Sequence, residues 1–199
     1  MKVLVNIRGC NGAGKSTIPM SMLDDPDLEV YDSKKGWSLT LFPSYGWLAL
    51  GKYKTKTGGM DTISTKAQKF EALEYAWTEY PDFDIIMEGV IDSTIRSTYI
   101  DLFTDYENRV LAGEITPPRK IIVLNFLPPV EVCVQRVLER NGGVPVKAEQ
   151  IESKWKTVMR NVQYFREAGI TTLKYDTSKI PRELMLDKFF QIVDKYRGE

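Results

Sequence analysis

The chain has 199 residues with 27 basic and 27 acidic side chains, so a zero net charge excludes a global field that attracts nucleic acid. Histidine is absent, which excludes histidine acid–base catalysis, Ser-His triads and histidine-ligated zinc. Proton transfer must then fall to Asp or Glu, and a metal must be a hard cation bound by oxygen. The two cysteines, Cys10 and Cys133, lack metal-ligand spacing and fit a reducing compartment.

The first predicted element is a buried strand over residues 2–8, followed by a glycine-rich loop and a helix that begins near Ser16. The loop fits the phosphate-binding pattern G-x-x-x-x-G-K-[ST] in the strand–loop–helix context that this pattern requires. Its glycines let the backbone amides point at a phosphate, Lys15 would reach the β- and γ-phosphates, and Ser16 would hold Mg²⁺. The predicted ligands of ATP·Mg²⁺ are Gly9, Asn11, Gly12, Ala13, Gly14, Lys15, Ser16 and Thr17.

A short second strand is predicted at 28–31, and the segment 36–62 then interrupts the alternation of strands and helices. Two apolar runs, 37–42 and 47–53, flank a turn and predict an inserted antiparallel hairpin with a polar loop after it. Five lysines lie between Lys52 and Lys69, and aromatic residues lie in or near the hairpin: Trp37, Tyr45, Trp47 and Tyr53. Either these side chains bind phosphates and stack on bases, or the rings pack on the sheet and the lysines are solvated.

Three acids compete for the role of general base. Glu88 ends the predicted third strand at 84–87, beside the phosphate loop, where a carboxylate can also reach Mg²⁺. Asp32 ends the second strand and is expected to face the same cleft, and Asp61 lies in the loop after the hairpin. The sequence leaves the choice among these three acids open.

The remaining elements alternate in the same way. Strands are predicted at 120–126 and 171–175, and helices at 65–79, 93–113, 129–140, 147–168 and 182–196. This pattern predicts an α/β fold, the three-layer sandwich of P-loop NTPases, with a parallel sheet of about five strands and helices on both faces. One domain over 1–199 is the simplest organisation. The chain begins with a core strand and has no apolar run of membrane-span length, so we expect a soluble, cytoplasmic protein without a signal peptide.

The fourth strand runs into Leu127-Pro128-Pro129 and a helix with Arg136 and Arg140 on one face, followed by Asn141-Gly142-Gly143. Here the chain resembles the small P-loop kinases that act on nucleosides and nucleoside monophosphates. The resemblance implies a mobile lid at 136–146 whose arginines stabilise the charge that develops during phosphoryl transfer. Thymidylate kinases have an Asp-Arg pair after the third strand, whereas this chain has Glu88-Gly89, and Arg96 is the candidate to take over part of that role.

Two short motifs, Gly51-Lys52-Tyr53 and Gly58-Gly59-Met60-Asp61, are similar to those of thymidylate-kinase-like bacteriophage enzymes that include the 5-hydroxymethyluridine DNA kinases. This resemblance implies phosphorylation of a base hydroxymethyl group in duplex DNA, in the host cytoplasm. A free deoxynucleoside monophosphate is the alternative acceptor, and a P-loop NTPase switch is a further alternative. The switch is disfavoured because the chain lacks the Asn-Lys-x-Asp and Asp-x-x-Gly motifs of GTPases. The oligomeric state stays open.

Overall fold

Seven strands form one mixed sheet in the computed structural model, which describes residues 1–53 and 58–197. The strands are β1 (Lys2–Arg8), β2 (Glu29–Asp32), β3 (Ser38–Phe42), β4 (Trp47–Leu50), β5 (Asp84–Glu88), β6 (Arg119–Phe126) and β7 (Thr171–Tyr175). The helices are α1 (Thr17–Met20), α2 (Lys66–Glu79), α3 (Ser97–Leu111), α4 (Val130–Arg140), α5 (Ala148–Glu167) and α6 (Met185–Arg197). The strand order is β2-β3-β4-β5-β1-β6-β7.

The central strand β1 is buried on both faces and pairs in parallel with β5 and β6. Because side chains alternate along a strand, Leu4 packs into one core with α2 and α3, while Val3 and Val5 pack into a second core with α4 and α6. The two cores lie on opposite faces of the sheet. This arrangement confirms the predicted α/β fold with helices on both faces of a mostly parallel sheet.

The predicted hairpin is confirmed: β3 and β4 are antiparallel and are joined by a turn that ends at Gly46. Its second strand does more than extend the sheet, because β4 pairs in parallel with β5. The five parallel neighbours are therefore β4, β5, β1, β6 and β7, and β2 is displaced to the outer edge, where it pairs only with β3 among the described residues.

The hairpin aromatics belong to the hydrophobic core. Trp37, Trp47 and Tyr53 are 2–3% exposed, and only the ring of Tyr45 is partly exposed. Trp37 contacts two tyrosine rings, and Trp47 packs against the phenylalanines of α6. The interpretation of these three rings as a platform for bases is therefore wrong, since a stacking surface must be accessible.

The lysines near the hairpin are in part engaged by acids. Lys52 pairs with Asp32 at 2.9 Å, and the buried Lys69 pairs with Asp92 at 2.7 Å. Lys66 lies over the ring of Phe70, and Lys54 and Lys56 lie outside the described residues. Two of the five lysine charges in the predicted basic patch are therefore engaged in ion pairs.

Two predicted segments differ in extent from the structure. The helix after the phosphate loop was predicted over 16–23, but α1 has only four residues and continues as turns that are closed by i→i+3 hydrogen bonds. In the predicted lid, 136–140 is the last part of α4, and 141–147 is the link to α5. Within the described residues, no helix combines the length and the apolar composition that crossing a bilayer requires.

Replacement of a buried ring tests the structural role of the hairpin. We expect Trp37→Ala to lower the free energy of unfolding by about 3–5 kcal/mol, because it removes a core side chain that contacts two other rings. Urea denaturation of the variant beside Leu111→Ala, whose side chain is 86% exposed, measures the effect. Unchanged stability of the Trp37 variant would contradict its assignment to the core.

Candidate active site

The loop between β1 and α1 has the backbone of a phosphate cradle. Gly12 and Gly14 have φ angles of 80° and 91°, which side chains other than glycine rarely adopt. A Cβ at Gly12 would also collide with the carbonyl of Cys133 in α4. Among the described residues, the amides of Gly12, Gly14, Lys15 and Ser16 donate to no protein acceptor. These four N–H groups therefore fit a phosphate ligand.

Lys15 supplies a buried positive charge beneath this loop. The side chain is 5% exposed and its Nζ donates to the carbonyl of Cys10 at 3.1 Å. Burial lowers the pKa of Lys15, and the nearby charge of Glu88 opposes that shift. The thiol of Cys10 is buried against the sulfur of Cys133 at 3.3 Å, which agrees with a packing role for this loop residue.

Ser16 and Glu88 meet at the carboxyl ends of β1 and β5. The Ser16 hydroxyl donates to Glu88 Oε1 at 3.0 Å, and Glu88 is 1% exposed. Burial raises the pKa of Glu88 to about 7, with the charge of Lys15 acting in the opposite direction. A hydroxyl and a carboxylate oxygen are ligands that suit Mg²⁺, so this pair fits the metal that accompanies a nucleoside triphosphate. Tyr53 lies beside the carboxylate, and burial together with the nearby Glu88 charge raises the pKa of Tyr53 well above its ordinary value.

The structure brings Asp61 to the same edge of the sheet. Its carboxylate accepts hydrogen bonds from the amides of Val90, at 2.8 Å, and Ile91, at 3.4 Å, just after β5. Gly59, with φ 69°, lets this loop pack directly on Glu88, where a Cβ would collide with the carboxylate. Asp61 is exposed while Glu88 is buried, so the two acids differ in access to an incoming substrate.

Asp32 does not join this group. It ends the edge strand β2, which lies three strand spacings from β5, a separation of roughly 14 Å. Its carboxylate accepts from the Ser38 hydroxyl at 2.7 Å and pairs with Lys52. The prediction of Asp32 as a general base facing the phosphate cleft is contradicted, because the hairpin inserts two strands between β2 and β5.

The two arginines of α4 occupy different environments. Arg136 donates to the hydroxyl and the carbonyl of Thr177 at 3.0 and 3.1 Å and approaches the carbonyl of Gly12 at 3.4 Å. Thr177 in turn donates to the carbonyl of Ala13 at 2.9 Å. Arg140 is exposed one turn further along the helix. Arg136 therefore supports the phosphate loop from outside in this conformation, whereas Arg140 extends into solvent.

Sequence reasoning missed Lys154. This side chain of α5 donates to Asn11 Oδ1 in the phosphate loop at 3.3 Å, so it adds a partly buried positive charge beside the loop. No local motif marks it, because its position depends on how α5 packs against α4 and the sheet.

A second missed element is the network around Arg8, the last residue of β1. Its guanidinium donates to the carbonyls of Asp92 at 3.0 Å and Ser93 at 2.8 Å, and also to that of Ile95. The Ser93 hydroxyl accepts from the amide of Gly9 at 3.1 Å. The segment after β5 is thereby fixed to the start of the phosphate loop. The sequence alone does not indicate this role of Arg8, because a charged residue at the end of a strand does not reveal which segments it contacts.

Arg96, the candidate for part of the thymidylate-kinase Asp-Arg role, lies at the start of α3. Its guanidinium stacks over the ring of Tyr164 with 3.4 Å between Cζ and the ring centroid, and it remains exposed. This contact therefore joins the start of α3 to α5.

The fold and the loop geometry are those of a P-loop protein, and comparison with known proteins agrees. A solved structure titled as a fungal RNA kinase superposes with a TM-score of 0.53 at 16% identity, covering 100% of this chain and 89% of that one, which supports the fold. The family profile described as 5-hmdU DNA kinase matches residues 2–173. The chain belongs to this 5-hmdU DNA kinase family, which confirms the resemblance deduced from the 51–61 motifs.

Two curated relatives illustrate the family. A protein of Bacillus phage SP10 named 5-hmdU DNA kinase is 47% identical over 194 residues, which are 96% of this chain and 29% of that protein. One of Salmonella phage ViI named 5-hmdU DNA kinase 1 is 36% identical over 158 residues, which are 78% of this chain and 67% of the relative. The chain thus spans less than a third of the length of the SP10 protein.

The raised pKa of Glu88 predicts a pH dependence of nucleotide binding. The carboxyl must be ionised to bind Mg²⁺, and with a pKa of about 7 in the empty protein it is mostly protonated at lower pH. Affinity for a fluorescent ATP analogue with Mg²⁺ should therefore fall up to roughly tenfold per pH unit below about 7 and level off above it.

Titration of binding between about pH 6 and 8 measures this dependence. The Glu88→Gln variant, which has no proton to lose at this site, is the control for protonation of the nucleotide itself. Equal pH slopes for the wild type and the Gln variant would refute the assignment of Glu88 as the titrating metal ligand.

Proposed function

We propose that this protein is an ATP- and Mg²⁺-dependent kinase that phosphorylates the hydroxymethyl group of 5-hydroxymethyluracil in DNA. The observation that carries the proposal is the convergence of Lys15, Ser16, Glu88 and Asp61 at one edge of the sheet. A phosphate cradle beside an accessible acid is what such a kinase would need. Membership of the family supports the choice of acceptor. We propose that the enzyme works in the host cytoplasm.

The donor side binds and neutralises the triphosphate. The amides of Gly12, Gly14, Lys15 and Ser16 and the ammonium of Lys15 would hold the β- and γ-phosphates, and Asn11 and Lys154 would border them. Ser16 and Glu88 would hold Mg²⁺, which supplies charge neutralisation on the phosphate oxygens when bound. Gly9 and Thr17 would shape the loop from its two ends, and Ala13 from within it through the hydrogen bond from its amide to the carbonyl of Cys10.

The acceptor side activates the hydroxyl. Asp61 is held by the amides of Val90 and Ile91 and is exposed, so it can accept the proton of an incoming hydroxymethyl group. As that oxygen bonds to the γ-phosphorus, the bond from this phosphorus to the bridging oxygen of ADP breaks, and the proton passes to the Asp61 carboxylate. Glu88 is less suited to this step because it is buried and bonded to Ser16.

The segment 136–146 is proposed as the lid. Arg136 already contacts the phosphate loop, while Arg140 is exposed beside the link of 141–147, in which Gly142 and Gly143 have positive φ angles. Movement of this link would bring Arg140 towards the transferring phosphoryl group and exclude water from it. Arg136 would then exchange its contact with the loop carbonyl for contact with phosphate oxygens.

Transfer of label from γ-³²P-ATP is the test of the activity. We expect label in duplex DNA that contains 5-hydroxymethyluracil and none in the same duplex with thymine. Lys15→Ala should abolish the transfer, because the phosphates lose their buried cation. Label only in deoxynucleoside monophosphates would favour a nucleotide kinase, and ATP hydrolysis without labelled product would favour an NTPase switch.

Substitutions at two aspartates test which residue is the general base. Asp61→Asn should lower kcat by roughly 10²–10⁴-fold and leave the KM for ATP nearly unchanged, because the amide keeps an oxygen for Val90 but accepts no proton. Asp32→Asn is the matched control, because Asp32 also ends a strand but lies far from the phosphate loop. This variant should retain activity. Full activity of the Asp61 variant would exclude it as the base.

A further inference from the structure

The segment of residues 89–97, between β5 and α3, exposes apolar side chains at the edge of the active site. Ile91 is 61% exposed and Ile95 is 39% exposed, and Tyr164, which contacts Arg96 of the same segment, is 37% exposed. The amide of Ile91 donates to Asp61, so this apolar surface adjoins the proposed base directly. Single exposed apolar residues are ordinary, but two in one short segment that also holds the proposed base indicate contact with a ligand.

Hydrogen bonds to the rest of the protein hold the backbone of this segment, so the fold fixes the exposed position of Ile91. Asp61 accepts from the amides of Val90 and Ile91, and Arg8 donates to three carbonyls of the segment. Asn161 of α5 donates to a fourth carbonyl at 3.2 Å. The polar backbone groups are thus bound to the protein while the isoleucine side chain extends outward.

The charge of this surface suits an anionic polymer. Arg96 is exposed and stacks on Tyr164. The only acid in the sequence 89–97 is Asp92, which is 4% exposed and paired with Lys69. The segment therefore offers an apolar tip and a positive charge. Its own acid is buried and paired, and the exposed carboxylate beside it is that of Asp61, the proposed base.

A base in duplex DNA cannot bring its hydroxymethyl group to Asp61 while it remains stacked. We propose that Ile91 enters the duplex beside the target nucleotide and stabilises the gap that the displaced base leaves, while Arg96 binds a backbone phosphate. Apolar side chains inserted between base steps are a recognised way to unstack a duplex. This inference rests on the proposed function, since it requires a DNA acceptor.

Substrates that differ in base pairing test the wedge. Ile91→Ala should lower kcat/KM on a fully paired 5-hydroxymethyluracil duplex by about tenfold, but by less than about twofold on a single strand or on a duplex with an abasic site opposite the target. Leu111→Ala, equally apolar and 86% exposed at the end of α3, is the control and should match the wild type on all three substrates.

An equal loss on paired and unpaired substrates, or no loss on either, would overturn the wedge and leave the kinase activity standing. Wild-type activity confined to single strands would overturn it as well. Absence of label from every DNA substrate would instead refute the proposed function itself.

A readout without catalysis completes the test. A duplex carrying 2-aminopurine next to the modified base should gain fluorescence when the wild-type protein binds, because the neighbouring base becomes unstacked. The Ile91→Ala variant should bind with a smaller gain, and the Leu111→Ala variant with the full gain. Equal gains for all three proteins would contradict insertion of Ile91.

Discussion

The buried guanidinium of Arg8 joins the two segments on which the active site depends. It is fully buried at the end of β1 and donates to three carbonyls of the segment after β5. The rings of Tyr99 and Phe165 lie 5.4 and 4.7 Å from its Cζ. Burial lowers the pKa of Arg8 to about 10, so it stays charged at neutral pH. Removal of this cation would leave several buried carbonyls without a donor, which is the costly way to lose a hydrogen bond.

This anchor fixes the spacing between the donor and acceptor halves of the site. The phosphate loop starts at Gly9, whose amide is bound by Ser93 in the anchored segment, and the same segment holds Asp61 through its amides. Helix α5 adds a second connection, because Lys154 contacts the phosphate loop and Asn161 contacts the carbonyl of residue 94. Lys154 and Asn161 are seven positions apart on this helix, a rise of roughly 10 Å. The two halves are thus held at a defined distance, as in-line transfer between bound groups requires.

Local signals in the sequence predicted the parts of the site that depend on neighbouring residues. The phosphate loop was evident because Gly12, Gly14, Lys15 and Ser16 occupy fixed positions in a short motif after a buried strand. Glu88 was found for a similar reason, since it ends a strand that had to lie near β1. The hairpin was predicted from two apolar runs around a turn.

The remainder was set by pairings between distant segments, which periodicity does not encode. Strand β4 displaced β2 from the neighbourhood of β5, and this removed Asp32 from the cleft although it does end a strand at the expected edge. Burial of Trp37 depends on rings from β2 and α2, so its sequence context did not distinguish core from platform. The same reason explains why Lys154 was missed, since it approaches Asn11 from a helix 143 residues later in the chain.

The environments of Glu88 and Asp61 suit different tasks in the proposed reaction. A buried carboxylate is costly to ionise, and the pKa of Glu88 near 7 reflects that cost even with Lys15 close by. Such a group would be stabilised further by a cation that arrives with the nucleotide. Asp61 is exposed and held by backbone amides, so an incoming acceptor could reach it directly. In the proposed mechanism, these two environments would separate binding of the nucleotide from activation of the hydroxyl.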